Sequence, residues 1–166
     1  MSKAQEAKQA PKKSTRKRTS AAKQPTVKIK VKKLNNDAQL PKKAYPESAG
    51  FDITASVKTI VSGLSTAAIP TGLAMEIPEG YFVQIKDRSG LALDEKTFVK
   101  AGTIDSDYRG EVKIILGNAG DFPVTIEKGQ RVAQFTVEKV TDAEIVEVDK
   151  LSETKRGEGG LGSTGK

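Results

Sequence analysis

The sequence predicts an all-β protein, a jelly-roll-like antiparallel β-sandwich or barrel, because short alternating apolar runs recur and turn clusters separate them. Val27, Ile29 and Val31 alternate with lysines, which is the period of a half-buried strand. Similar short runs follow at residues 50–55, 67–75, 81–86, 97–99, 112–116, 124–126, 131–137 and 145–148. The turn clusters lie at residues 45–48, 78–80, 118–120 and 127–129. Many short strands at close spacing favour a sandwich or barrel over alternating α/β units.

Composition divides the 166 residues into three segments. Residues 1–24 hold no aromatic and no branched aliphatic side chain, so they cannot bury enough apolar surface to offset their ordering entropy, and we expect a disordered basic tail. Residues 25–150 form the predicted β domain, with one short helix around residues 89–93. Residues 151–166 are Gly-rich and predict a flexible C-terminal arm.

The charge of the chain is concentrated in the tail. The chain has 28 Lys and Arg against 21 Asp and Glu, a formal net charge of +7, which on its own is typical of a nucleic-acid binder. Residues 1–24 contain eight of the basic residues and one of the acids, so the rest of the chain is formally neutral. The basic cluster at residues 12–18 is a candidate for a weak nucleic-acid or import-receptor contact, and a solvated arm is the equal alternative.

The composition excludes several classes of chemistry. There is no Cys and no His, so the chain has no thiolate nucleophile, no imidazole base and no ordinary zinc site. Catalysis near neutral pH would use carboxylates, Lys, Tyr, hydroxyls or a metal held on oxygen. The longest uncharged run, residues 59–75, is broken by two glycines and a proline, and the N-terminus lacks a secretory pattern, so we expect no membrane partner and an intracellular protein, cytoplasmic or nuclear.

The first segment with the residue types for chemistry is Asp87–Ala92. Arg88 has a planar fork that suits phosphate oxygens, Ser89 has a hydroxyl donor, and Gly90 lets backbone N–H groups approach a ligand closely. The segment predicts an anion site, and a capped turn with a surface arginine is the structural alternative.

The second segment is the glycine-bounded run Gly102–Gly110, which predicts a tight hairpin that carries two acids, a Tyr and an Arg. In a chain without His, a carboxylate here is the natural group to orient a water molecule, although Asp-Ser-Asp is also simply a good turn sequence.

The third segment is Arg156–Gly165, whose dense glycines with Ser, Thr and one Arg suggest a flap that wraps phosphates. It lacks the ending of a P-loop and no strand leads into it, so a plain flexible terminus is the alternative.

Taken together, these segments resemble the trimeric deoxyuridine triphosphatase (dUTPase) family, which carries five short motifs in a fixed order. The five matching segments here are Ala49–Ile53, Arg88–Ala92, Gly102–Glu111, Gly129–Gln134 and Arg156–Gly165. Any single match is weak, but five in order are specific because chance matches multiply. The resemblance covers residues 26–166 and leaves out the basic tail.

The resemblance implies a β-clip, jelly-roll subunit in a homotrimer with three shared active sites. Each site would take motifs one, two and four from one subunit and motif three from a second, and in most relatives the fifth motif arrives from the third subunit. The implied reaction is hydrolysis of dUTP to dUMP and pyrophosphate with Mg²⁺ on the triphosphate, which would limit uracil incorporation into DNA and supply dUMP for dTTP synthesis.

The resemblance also implies roles for individual residues. Asp105 would activate the water that attacks the α-phosphorus, Tyr108 would lie under the deoxyribose and reject ribonucleotides, and Asp52 would act on Mg²⁺ indirectly, through water, or by orienting a neighbour. Backbone groups near Gly102 and Lys113 would recognise uracil. The implied contacts to phosphates and to the nucleotide under the closed arm are those of Arg88, Ser89, Gly90, Gln134, Arg156, Leu161, Gly162 and Ser163.

Two alternatives to the triphosphatase remain. A dCTP deaminase-like relative on the same fold would need different chemistry to recognise its base, and the run Asp105–Gly110 favours the triphosphatase. A non-catalytic nucleotide-sensing module with a nucleic-acid-binding tail would have no need of the water-activating Asp105.

Leu161 is a departure from the motif, because the family usually has Phe there. Stacking of an aromatic ring on a base contributes about 1–3 kcal/mol in single-strand binders, and Leu loses this term. We therefore expect Leu161→Phe to lower KM for dUTP or to raise kcat. Steady-state kinetics that find both parameters unchanged would contradict this expectation.

Overall fold

The computed structural model describes residues 26–160, and within them it has ten strands and one short helix. In chain order the elements are β1 (Lys30–Lys33), β2 (Phe51–Thr54), β3 (Thr59–Val61), β4 (Thr66–Glu76), β5 (Tyr81–Lys86), α1 (Ser89–Asp94), β6 (Thr97–Lys100), β7 (Thr103–Ile104), β8 (Glu111–Asn118), β9 (Val124–Ile126) and β10 (Arg131–Lys139).

The strands form two four-stranded antiparallel sheets and a two-stranded pair. The first sheet has the order β1-β4-β8-β6, the second has the order β2-β10-β5-β7, and β3 pairs with β9. One core lies between the sheets, where Ile114 and Leu73 of the first belong to the same buried cluster as Ile53 and Phe135 of the second. The predicted all-β antiparallel sandwich is therefore confirmed.

Alternation along the strands explains which residues reach this core. In β8, Val112, Ile114 and Leu116 are buried while Lys113 between them is exposed, as the two-residue period of a strand requires. In β10 the alternation breaks, because Val132 and Ala133 are both fully buried at a register shift, a β-bulge.

A second irregularity, in β4, fixes the start of β8. The pairing of β4 with β8 shifts between Pro70 and Ala74, and Gly72 lies in this bulge with a φ of 67°. The Gly72 N–H donates to the Glu111 carboxylate over 2.8 Å, and the hydroxyl of the neighbouring Thr71 donates to the Val112 carbonyl over 2.5 Å. The bulge thus holds the strand that leaves the glycine-bounded hairpin.

The strand predicted at Ile145–Val148 is wrong. These residues lie in irregular backbone after β10, and Ile145 is 93% exposed. A strand needs ladder hydrogen bonds from a neighbour, and no strand within residues 26–160 pairs with this segment.

The other predicted strands are present, with shifted ends. β1 starts three residues after Val27, because Val27 and Ile29 line a groove beside Phe51 and Phe135 instead of pairing. The sequence analysis missed two short strands, β3 and β7. The helix was predicted correctly at α1, and no helix in the described part of the chain is long and apolar enough to cross a membrane.

We expect Gly72→Ala to cost more stability than Gly80→Ala, although both glycines have positive φ, 67° and 80°. A left-handed conformation costs a non-glycine residue about 1–2 kcal/mol in both variants. A Cβ on Gly72 would also come within 2.6 Å of the Asn35 amide and 2.9 Å of Ala38, while Gly80 has open space around it. This crowding adds about 1–3 kcal/mol to the Gly72 variant. Urea unfolding measures the difference, and equal losses would show that the bulge is not tightly packed.

Candidate active site

Two arginines meet one carboxylate at an end of the second sheet. Asp52 of β2 accepts from Arg88 Nε at Oδ1 over 3.0 Å and from an Arg131 terminal nitrogen at Oδ2 over 2.9 Å. The same Arg88 side chain donates over 3.3 Å to the Arg131 carbonyl. Asp52 and Arg88 are 16% and 27% exposed, so both are shielded from solvent, and we call these three residues the arginine cluster.

The order of the strands explains the arginine cluster. Within the sheet β2-β10-β5, Asp52 lies opposite Gln134, and Gln134 lies opposite Lys86, the last residue of β5. Arg88 follows two residues later with extended backbone at the start of α1 and makes no side-chain cap. The alternative of a capped turn with a free surface arginine therefore does not hold. Ser89 and Gly90 form the exposed first turn of α1.

Gln134 and Asp87 fix the loop that carries Arg88. The Gln134 amide donates to the Asp87 carbonyl over 2.9 Å, and the Asp87 carboxylate accepts the N–H of Val99 in β6. Gly50 faces the Gln134 side chain so closely that a Cβ there would lie 2.4 Å from its amide oxygen. Motifs one, two and four of the sequence thus come together in one place.

The paired hairpin predicted at Gly102–Gly110 is wrong, because β7 lies in the second sheet and β8 in the first, and the two strands do not pair. The residues between them form a connecting loop with a tight turn, which we call the hairpin loop, or hairpin for short, and this loop holds Tyr108 in a defined position. The Tyr108 hydroxyl donates to the Glu111 carbonyl over 3.0 Å, and its ring covers Gly110, where a Cβ would lie 2.4 Å from the hydroxyl oxygen. The Tyr108 N–H donates to the Asp105 carbonyl over 3.3 Å and closes the turn.

An open cleft of ≈ 330 Å³ adjoins this hairpin. Asp105 is exposed at its edge, and the ammonium of Lys113 lies 3.8 Å from the Glu111 carboxylate. Gly102, at a φ of 103°, accepts the N–H of Ile85 and anchors the hairpin to β5. The lining residues are Thr103, Ile104, Asp105, Tyr108, Glu111, Lys113 and Ile115.

The arginine cluster and the hairpin lie far apart in one chain. β5 and β7 are antiparallel, with Val83 opposite Ile104. If the same register is extended by one residue, Asp105 lies at the level of Phe82. Arg88 lies beyond the other end of β5, six residues away, or about 20 Å along the strand. A single copy of the chain therefore does not bring the predicted water-activating acid to the predicted phosphate-binding residues.

Arg156 lies in an exposed turn and contacts its own backbone. Its Nε donates to the Gly159 carbonyl over 2.6 Å, and Gly157 adopts a positive φ of 52°. The predicted arm residues Leu161, Gly162 and Ser163 lie outside the described residues, as does the basic tail.

Residues 26–160 hold no group of three or more Asp or Glu side chains that converge on one point. Both oxygens of Asp52 accept from arginines, which leaves it lone pairs for a water molecule but no partner carboxylate. The Asp52 carboxylate alone cannot enclose a metal ion. It fits a hard cation that keeps most of its waters and is bound mainly through the phosphates of a ligand.

Away from both regions, the Lys30 ammonium hydrogen-bonds Glu76 and lowers the pKa of that carboxyl below its ordinary value.

Arg131 is the residue of this site that the sequence analysis missed. It belongs to the fourth motif, but the role there was given to Gln134. Its contact with Asp52 depends on the register of two strands, for which the sequence contains no local signal.

The fold and the site define a class of protein: an all-β chain with an arginine cluster suited to phosphate groups and, separately, an exposed carboxylate hairpin. The dUTPase family model matches residues 36–165. The chain belongs to the dUTPase family.

Similar proteins of known name support this assignment to the family. The deoxyuridine 5'-triphosphate nucleotidohydrolase of Nautilia profundicola is 48% identical over 142 residues, 84% of this chain and 100% of that protein. The Arabidopsis thaliana protein of the same name is 46% identical over 137 residues, 82% of each chain. Among solved structures, the Staphylococcus bacteriophage 80alpha dUTPase with dUpNHpp has a TM-score of 0.79 and 28% identity, covering 85% of this chain and 100% of that one.

Proposed function

We propose that this protein hydrolyses dUTP to dUMP and pyrophosphate. The observation that carries the proposal is the match of the dUTPase family model to residues 36–165, which includes the hairpin with Asp105 and the arginine cluster. The arrangement of polar groups in both regions supports it.

The active site is proposed to form between copies of the chain in a homotrimer. About 20 Å of β5 separates Asp105 from Arg88 in one copy, which is too far for both to act on one triphosphate. A hairpin from a second copy, placed against the arginine cluster of the first, completes the site. Symmetry then repeats the site at each interface of the trimer.

Asp105 is the proposed general base. Its carboxylate accepts a proton from a water molecule while the water oxygen bonds to the α-phosphorus. The bond from the α-phosphorus to its bridging oxygen breaks, and the electron pair leaves with pyrophosphate. A carboxylate is suited to this role here because the chain has no His, and its exposure on the hairpin makes it available to a ligand.

The hairpin is proposed to select a deoxyuridine nucleotide. Tyr108 is fixed by its hydroxyl bond to Glu111 and by contact with Gly110, so its ring can form a rigid wall under the deoxyribose that leaves no room for a 2′-hydroxyl. Backbone groups near Gly102 and Lys113 present donors and acceptors in a fixed order, which suits recognition of uracil.

The phosphates are proposed to bind Arg88, Ser89, Gly90 and Gln134, with Arg156, Leu161, Gly162 and Ser163 closing over the nucleotide. Mg²⁺ bound through the triphosphate would supply positive charge against the negative charge that develops in the transition state. Asp52 would hold a water of that ion or orient a neighbour, and its contact with Arg88 supports the second role. Donors placed before the reaction stabilise the developing charge without reorganising.

We expect pyrophosphate release from dUTP with Mg²⁺ and at least about 100-fold lower kcat/KM with dCTP, dTTP and UTP. A site built to hydrogen-bond uracil rejects cytosine and has no room for the 5-methyl group of thymine, and the Tyr108 ring excludes the 2′-hydroxyl of UTP. A coupled pyrophosphate assay on the full chain measures this. Ammonia release from dCTP would favour the deaminase-like alternative, and binding of dUTP without turnover would favour the nucleotide-sensing module.

The matched variants Asp105→Asn and Asp107→Asn test the base. Asp107 lies in the same hairpin but does not line the cleft, so its variant should keep wild-type turnover. Asp105→Asn should lower kcat by about 10²–10⁴, the usual contribution of a general base, while dUTP affinity stays within about threefold. An Asp105 variant that stays active would remove this residue from its role.

A further inference from the structure

Arg131 makes contacts that none of the roles proposed above uses. Its guanidinium donates to Asp52 Oδ2 over 2.9 Å, and its own carbonyl accepts from the Arg88 guanidinium over 3.3 Å. Arg131 is therefore linked to Arg88 in two ways. Its backbone carbonyl accepts directly from Arg88, and its side chain is connected to Arg88 through Asp52.

We propose that Arg131 is a positioning residue that aims Arg88 at the substrate phosphates. The proposal rests on the proposed function and deepens it. Arg131 acts by holding Asp52 in one orientation, and Asp52 in turn holds Nε of Arg88.

The first argument is conformational. An arginine side chain has four rotatable bonds and about 2 kcal/mol of rotamer entropy to lose. A carboxylate also turns easily about its last torsion, which has a broad two-fold profile. With one oxygen of Asp52 bonded to Arg131 and the other to Arg88, that torsion is fixed, and two bonds then fix the Arg88 fork. The second terminal nitrogen of Arg88 makes no hydrogen bond within residues 26–160, which leaves it for a ligand.

The second argument is the β-bulge of β10. Arg131 precedes Gln134 by three residues, and in a regular strand an odd separation puts two side chains on opposite faces. The shift of register between Arg131 and Ala133 adds one residue, so Arg131 pairs with Thr54 and Gln134 with Asp52. Thr54 and Asp52 are two residues apart and share a face. The bulge therefore turns Arg131 onto the face where Asp52 lies, and bulges commonly redirect a side chain in this way.

The third argument is electrostatic. Two guanidinium groups repel each other, and the shared carboxylate between them offsets this repulsion, so that the arginine cluster keeps one net positive charge for an anionic ligand. Arg131 is about half exposed, so a direct contact with phosphate is the competing explanation, and the experiment distinguishes the two.

The experiment measures the Kd of dUpNHpp and the kcat and KM for dUTP in four variants: Arg131→Gln, Arg131→Lys, Arg88→Gln and the double variant Arg88→Gln with Arg131→Gln. Lys58→Gln is the matched control, because Lys58 makes a 2.7 Å ion pair with Glu127 outside the site. Thermal unfolding of each variant reports losses of folding separately.

Arg131→Gln should raise the Kd and KM about tenfold with kcat within about threefold, the pattern of lost binding. Arg131→Lys, which keeps a cation beside Asp52, should recover most of the affinity even if it lowers Tm as much as the Gln variant. In the Arg88→Gln background, Arg131→Gln should have no further effect on Kd, since a positioning residue has nothing left to position. The control should match the wild type.

An unchanged Kd in Arg131→Gln would overturn the positioning role, as would a further tenfold loss in the Arg88→Gln background, which would show direct contact with phosphate. If the wild type neither binds dUpNHpp nor hydrolyses dUTP, the proposed function fails, and the inference with it. A wild type that binds and hydrolyses alongside an unaffected Arg131→Gln would overturn the inference alone.

Discussion

The antiparallel pairing of β5 with β7 is the constraint on which the proposed function of this chain depends. Because the strands run in opposite directions, the hairpin after β7 returns toward the start of β5 and leaves the arginine cluster at its far end. Asp105 and Arg88 are therefore held apart by the sheet itself, and no side-chain movement can close a gap of about 20 Å. The proposed reaction uses both regions, so it requires another copy of the chain to provide one of them.

Within each region, hydrogen bonds and ion pairs between neighbouring residues hold the groups that are proposed to do the chemistry. The chain has no His, and a carboxylate is the proposed proton acceptor. Asp105 is exposed on a loop held by the hydroxyl of Tyr108 and by the β4 bulge at Gly72. The arginine cluster instead pairs its carboxylate with two guanidinium groups. One region thus presents the proposed proton acceptor, and the other presents positive charge that suits phosphate groups.

Much of the fold could be predicted from the sequence, because strands such as β8 alternate Val112 and Ile114 with Glu111 and Lys113, and a local period is enough to detect them. Ile145–Val148 has a similar pattern but no strand in the described chain to pair with, and a pattern cannot show whether a partner exists. The motifs identified most candidate residues by type. Arg131 was missed because its role depends on the bulge at Val132 and on the register of β10 against β2, which are properties of pairing at long range.

The most direct test of the shared site mixes two inactive variants. Chains with Arg88→Ala and chains with Asp105→Asn, carrying different affinity tags, are co-expressed, and assemblies that contain both are purified through both tags. If Arg88 and Asp105 act together from different copies, each mixed trimer contains one intact site, and about one third of the wild-type activity returns. Mixed assemblies as inactive as either parent would contradict the account, because both residues would then have to act from the same chain.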